Sequence, residues 1–173
     1  MKKLINKPLV IKIGGAILDD QASGKGSALS KLLTVIAKMI SNTKQKIVLV
    51  HGGGCVVDEM LAQAGFVTEK KHGLRVTPKQ QIPVISGALA GNVNKGIVAN
   101  AISMKLPAVG LSLMDGDMVE CLLSDENLGE VGVAKAKDSK LLDTLLNADF
   151  LPIIASIGAL DNGDLVNVNA DDA

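Results

Sequence analysis

The sequence predicts an α/β fold in which a parallel sheet carries helices on its faces. Three observations carry this. Two short β-branched runs, Leu9-Val10-Ile11-Lys12-Ile13 and Lys46-Ile47-Val48-Leu49-Val50, are nearly continuous in apolar character. Such runs belong to strands buried on both faces, as in parallel sheets. Each run stops on glycines, Gly14-Gly15 and Gly52-Gly53-Gly54, and the stretch that follows the second has helical spacing. Strand, glycine turn and helix then repeat, which is the alternation of a parallel sheet with crossover helices.

The elements follow in order. Ser27 to Ser41 places Leu29, Leu32, Leu33, Ile36 and Ile40 at helical spacing. Cys55 to Ala64 repeats the pattern with Val56, Val57, Met60 and Leu61 on one side. Gly65 to Thr77, with Lys70, Lys71, His72 and Arg75, reads as a loop or hairpin. Pro78 suits the first turn of a helix, which continues to about Lys105 with a break near Gly91. Pro107 to Ser112 is a third buried strand. Asp115-Gly116-Asp117 turns the chain, and residues 118–123 and 131–134 suggest a meander on the sheet edge. Ser139 to Ala148 is a helix, and Leu151–Ala155 and Asp164–Val168 are strands. At the end, Asn169 caps what looks like the first turn of a helix, where Asp171 and Asp172 suit the positive end of the dipole.

Composition narrows the function. The 173 residues make one domain with a real core. Eighteen basic and 18 acidic side chains cancel, which leaves no basic footprint for nucleic acid. The only aromatic side chains are Phe66 and Phe150, too few for base stacking or for a membrane belt. No run reaches the ~20 apolar residues of a membrane span. Met1-Lys2-Lys3 begins like a secretory signal, but Lys12 interrupts the apolar run and no cleavage site follows. Two cysteines, Cys55 and Cys121, make no disulfide framework. The expectation is a soluble cytoplasmic protein.

Chemistry is expected at the two glycine clusters. Both sit at carboxyl ends of parallel strands, where open α/β sheets bind ligands. Glycines there bare backbone N–H groups, and a helix start adds favourable potential for an anion. Lys12 is costly to bury unpaired within an apolar strand. If Val10 and Lys12 share a face, the Lys12 amine reaches the glycine end, where a positioned ammonium suits phosphoryl transfer. Arg75 is the only arginine in the chain. A guanidinium holds a planar carboxylate bidentately, which lysine does not. Asn167, Asn169 and Asp171 alternate at a strand end, where an Asp could hold lysines in place. Each has a plainer reading, in turn chemistry, a snorkelling lysine on an edge strand, or capping.

Other motifs fail. No P-loop is present. Gly24-Lys25-Gly26 follows no strand and lacks the third glycine of a dinucleotide fingerprint. His51, Cys55 and His72 have no zinc spacing, and no metal site is expected.

Taken in order, Val-Ile-Lys-Ile-Gly-Gly, Leu-Val-His-Gly-Gly-Gly, Lys-His-Gly-Leu-Arg-Val-Thr, Gly-Ala-Leu-Ala-Gly-x-x-Asn-Lys, Asp-Gly-Asp and Val-Asn-Val-Asn-Ala-Asp span the chain from about Leu9. The chain resembles the N-acetylglutamate kinases of the amino acid kinase family. The lysine–glycine pair marks only the superfamily; the Gly-Leu-Arg-Val-Thr and Asn-Val-Asn-Ala-Asp pieces make the resemblance specific. It implies an open three-layer αβα sandwich with a mostly parallel central sheet, in which residues 1–173 form the acetylglutamate-binding and dimerisation domain. ATP, with Mg2+, would phosphorylate the side-chain carboxylate of N-acetyl-L-glutamate in arginine biosynthesis. By resemblance Lys12 stabilises the transferred phosphoryl group, and Gly14 and Gly15 meet the ATP phosphates. Gly53 and Gly54 bind substrate through their amides, Arg75 and Asn167 hold its carboxylate, Asn169 lines the crevice, and Asp171 organises the catalytic lysines.

Whole members of the family are longer, and the part beyond supplies most of the nucleotide site and a second catalytic lysine. The resemblance therefore implies an amino-terminal part with little or no turnover of its own. The first strand begins near Leu9, which leaves no room for the amino-terminal helix of arginine-inhibited hexamers and points to the arginine-insensitive homodimer. The helix from Pro78 carries Ile82, Val84, Ile85, Ala88 and Leu89 on more than one face, an expected dimer surface. Competing readings are a kinase for acetylaminoadipate, a non-catalytic acetylglutamate-binding or dimerisation module and, more distantly, a nicotinamide oxidoreductase.

Overall fold

The computed structural model describes residues 7–18, 27–71 and 73–173. The Met1–Lys3 stretch, Gly24–Gly26 and His72 lie outside the described residues. In chain order the elements are β1 (Leu9–Ile13), α1 (Gly15–Leu18), α2 (Ala28–Thr43), β2 (Ile47–His51) and α3 (Gly54–Gln63). A hairpin of β3 (Glu69–Lys71) and β4 (Leu74–Val76) precedes α4 (Ile82–Ser86) and α5 (Asn94–Ser103). Then come β5 (Ala108–Ser112), β6 (Val119–Leu123), β7 (Val131–Ala136), α6 (Lys140–Asn147), β8 (Leu151–Ala155), β9 (Ile157–Ala159) and β10 (Leu165–Val168).

The main sheet has the order β1-β2-β8-β5, and every pairing is parallel. The two central strands, β2 and β8, are buried along their whole length. Their pleat divides one apolar run between two cores. Ile47, Leu49 and Ile153 face Leu33 and Ile36 of α2 and Ile97 and Ala101 of α5. Val48, Val50 and Ile154 face the other way, towards Leu146 of α6 and Val166 and Val168 of β10. A third cluster joins Val57 and Leu61 of α3 to Ile85, Ala88 and Leu89, beside Ala155 and Ile157. Ser27 caps α2: its hydroxyl accepts from the Ser30 N–H at 3.1 Å. Within the 65–77 region, β3 and β4 pair antiparallel as a hairpin, the second of the two readings open for it.

Four expectations need correction. β1 is not a buried strand: it forms the edge of the main sheet, Leu9, Val10 and Lys12 are exposed, and only Ile13 is fully buried, because no further strand pairs with its outer side among the described residues. The segments 118–123 and 131–134 do not extend the edge of the main sheet. They form β6 and β7 of a second sheet, ordered β6-β7-β10-β9, that covers the α6 side. The chain changes sheets at Ser156, whose N–H is spent on the His51 carbonyl, so β8 and β9 part company there. The helix after Pro78 does not break at Gly91. A widened π stretch over Gly87–Val93 carries it straight from α4 into α5, which accommodates glycines without interrupting the hydrogen-bond ladder. Finally, most of the apolar residues of that helix are used within the chain. Ile82, Ile85, Ala88 and Leu89 are buried, the last three in one cluster with Val57 and Leu61 of α3, and Val84 is half-buried. A charge at Leu89 would therefore unsettle the protomer itself and says nothing about a dimer.

Candidate active site

At the carboxyl ends of β1 and β2 the chain leaves a crevice of about 220 Å3. Lys12, Gly14, Gly15, Gly53, Gly54, Arg75, Asn167 and Asn169 all line it. Asp171 stands beside it, paired to Lys12. All nine residues singled out in the sequence are thus brought together.

β1 is an edge strand, and Lys12 lies one residue before its end. Its ammonium turns towards the glycines, near enough to Gly14 that a Cβ there would stand 3.9 Å from Nζ. Lys12 Nζ meets Asp171 Oδ1 at 2.8 Å, with the lysine side chain 38% exposed. The Asp171 N–H bonds to Asn169 Oδ1 at 3.2 Å, so the turn after β10 fixes the partner of the lysine.

β2 ends differently. Gly53 packs so closely that an added Cβ would lie 2.9 Å from a Val93 methyl and 3.1 Å from a Leu89 methyl. His51, wholly buried, holds the loop from behind: its Nδ1 is 2.7 Å from the Gly52 carbonyl oxygen. Asn94 Nδ2 meets His51 Nε2 at 3.0 Å. Burial lowers the histidine pKa and outweighs the opposing pull of the Gly52 carbonyl.

Arg75 enters from β4, its side chain only 9% exposed. It pairs with Asp58 of α3 and donates to the Thr68 hydroxyl at 3.2 Å and to the Gly54 carbonyl at 3.2 Å. Burial pushes the Asp58 carboxyl up, but the bonds from Arg75 and Lys70, the Arg75 charge and Thr68 together bring it below its ordinary value. Asn167 of β10 donates to the Thr77 hydroxyl at 3.3 Å, and that hydroxyl donates to the Arg75 carbonyl at 3.3 Å. Thr77 thereby ties the two candidate carboxylate-holding residues together.

Reading the sequence missed Asp58, Thr77, His51 and Asn94 as supports. His51 and Asn94 stand inside conspicuous motifs, but only folding brings β2 and α5 together. Asp58 lies four residues beyond Gly54, one turn along the helix, a spacing that could have suggested a partner for a nearby cation.

Chemically, the crevice is lined by two cations, Lys12 and Arg75, together with the glycines that end β1 and β2. The carboxylates nearest those cations, Asp171 and Asp58, are already paired to them. That suits an anionic guest.

The profile of the amino acid kinase family matches residues 7–173. The chain belongs to the amino acid kinase family. Within it, the chain is 68% identical over all its 173 residues to an acetylglutamate kinase of Colwellia psychrerythraea (strain 34H), of which it spans 64% of the length. Among solved structures, smu.665 from Streptococcus mutans UA159 is similar with a TM-score of 0.81 and 28% identity, over 95% of this chain and 64% of that one. N-acetylglutamate synthase from Neisseria gonorrhoeae, complexed with coenzyme A and N-acetyl-glutamate, shares the fold at a TM-score of 0.72 and 23% identity, over 94% of this chain and 36% of that one.

Proposed function

We propose that the protein to which this chain belongs is an acetylglutamate kinase, and that these 173 residues form its acetylglutamate-binding part. The observation that carries the reading is one crevice lined by Lys12, which is paired to Asp171, by Arg75 and Asn167, and by the glycines that end β1 and β2. The 68% identity over the whole chain to an acetylglutamate kinase supports the choice of substrate.

In this reading Arg75 and Asn167 hold the α-carboxylate of N-acetyl-L-glutamate, and the Gly53 and Gly54 amides bind the same molecule. Its side-chain carboxylate then lies towards Lys12. A carboxylate oxygen attacks the γ-phosphorus of ATP, the bond to the β-phosphate oxygen breaks, and ADP leaves with N-acetyl-L-glutamyl 5-phosphate formed. Lys12 and the Gly14–Gly15 turn stabilise the charge on the phosphoryl oxygens, and Asp171 keeps Lys12 aimed. Among the described residues no three His, Cys, Asp or Glu side chains converge as a metal cluster. A magnesium ion accompanying ATP would be held by the phosphates. No described helix is long and apolar enough to cross a membrane. A cytoplasmic place and a role in arginine biosynthesis belong to the same reading, on the likeness to an acetylglutamate kinase. A homodimer belongs to the same reading on family grounds alone; light scattering decides it.

Calorimetry tests the substrate. The chain is expected to bind N-acetyl-L-glutamate more tightly than ATP, and more tightly than N-acetyl-aminoadipate. Tight ATP binding with no acetylglutamate binding would overturn the reading.

A further inference from the structure

We propose that His51, held as its neutral Nδ1–H tautomer by Asn94, is the positioning residue that aims the Gly53 N–H into the crevice. The proposal rests on the substrate reading above and deepens it, since it says how one binding amide is oriented.

Donor logic fixes each proton. A carbonyl oxygen only accepts, so the 2.7 Å contact between His51 Nδ1 and the Gly52 oxygen requires the hydrogen on Nδ1. Nε2 of a neutral ring is then an acceptor, which matches the Asn94 amide nitrogen 3.0 Å away. The amide cannot be turned round. Its nitrogen also meets the Ile153 carbonyl at 2.9 Å and the Leu111 carbonyl at 3.3 Å, both acceptors. Its oxygen faces the Lys95 ammonium at 3.3 Å, a donor. Four neighbours from α5, β5, β8 and β2 agree on one orientation. Gly110 keeps the space for it: a Cβ there would stand 2.0 Å from Asn94 Oδ1.

The consequence passes through one peptide unit. The Gly52 carbonyl and the Gly53 N–H belong to the same planar trans peptide and point in opposite directions. Fastening the oxygen to the buried ring turns the N–H away from the core, and Gly53 lines the crevice. Between two glycines nothing else in the local sequence would hold that plane. A histidine buried merely to fill space has no need of this donor pattern.

Two measurements test it on the full-length protein. Nitrogen-15 NMR of the histidine ring reads the tautomer without any ligand, and the Nδ1–H form is expected throughout pH 6–8. An Nε2–H or charged ring overturns the proposal. Two substitutions then separate position from packing. His51→Asn leaves an amide nitrogen near the place of Nδ1, whereas His51→Gln carries its amide towards the place of Nε2. His51→Gln is expected to weaken N-acetyl-L-glutamate binding about tenfold, the loss of roughly one aligned hydrogen bond. His51→Asn is expected to stay within about threefold, although both lose similar thermal stability. Equal weakening in the two variants overturns the positioning role. Failure of the unaltered protein to bind N-acetyl-L-glutamate overturns the substrate reading and this role with it, while the measured tautomer reports on the hydrogen bonds alone.

Discussion

The two glycine clusters end neighbouring parallel strands, yet the molecule builds their surroundings in opposite ways. Gly14 and Gly15 follow an edge strand, and what stands beside them is a part-exposed ion pair, Lys12–Asp171. Gly52 to Gly54 follow a central strand, and they are pinned by a buried histidine, by methyls of Val93 and Leu89, and by Arg75 on the Gly54 carbonyl. The difference matches the two jobs proposed. A group that stabilises charge arising only during transfer has to reach a second reactant, and an edge position leaves it room. A site that selects one small molecule gains from amides fixed in advance, because ordering them on binding would cost affinity.

The sharpest way to break the comparison is at Lys12. Lys12→Ala in the full-length enzyme is expected to lower kcat by about 10²–10³-fold, the range for losing one preorganised charge-stabilising donor. KM for acetylglutamate should change little, since the contact matters mainly in the transition state. Steady-state kinetics in both substrates check this. A large rise in KM with kcat intact would move Lys12 to the binding side.

Arg75→Lys probes the other end. The charge stays but the planar fork is lost, and acetylglutamate binding is expected to weaken by about 1–3 kcal/mol. Calorimetry reads it, and unchanged affinity would remove Arg75 from the site. The glycines give the stability side of the contrast. Gly53→Ala forces a methyl into Val93, itself buried and stiff, and is expected to cost about 1–3 kcal/mol. Gly14→Ala meets nothing closer than Lys12 Nζ at 3.9 Å, and its cost should stay within about 0.5 kcal/mol. Equal losses in denaturant melts would mean that the two turns are equally packed.

Much of this was legible in the sequence, and the pattern of what was not is physical. The strands at Leu9, Lys46, Pro107 and Leu151 could be read because parallel strands announce themselves as unbroken apolar runs. Lys12 stood out because a cation within such a run demands a reason. Residues 118–123 and 131–134 were readable as strands, but not their sheet: that depends on where β10 lands, a long-range pairing of Asn167 with Val131 that no local pattern encodes. The apolar faces of Ile82 to Leu89 invited an interface because the packing of α3 against them is equally non-local. The supporting shell of the site was the least visible part. Asn94 lies 43 residues from His51, and the Asn167–Thr77 contact spans 90. His51, Thr77 and Asn94 stand inside motifs, but which partner each one holds is decided by the fold.

A small effect is also expected at Asp58, where the binding end is braced rather than built. Its carboxyl is held below its ordinary value because the bonds from Arg75, Lys70 and Thr68 and the Arg75 charge together exceed the opposing effect of burial. A carboxyl with a depressed folded pKa favours the folded state above its unfolded pKa of about 3.9, where it is charged. As pH falls through the folded value, the unfolded chain takes up the proton more readily, and that contribution disappears. Asp58→Asn removes the titrating group but leaves an oxygen that still accepts from Arg75, and Thr68 and the Gly54 carbonyl keep the guanidinium partnered. The variant is therefore expected to melt only about 1–3 °C lower near pH 7, the scale of a part-exposed ion pair in a chain of this size. The gap should narrow as pH drops below about 4 and close once pH falls below the folded value. Thermal melts of both proteins across pH 2.5–7 read it directly. A gap that stays constant down to pH 2.5 would show that Asp58 contributes through packing, and that the binding end is braced by shape rather than by charge.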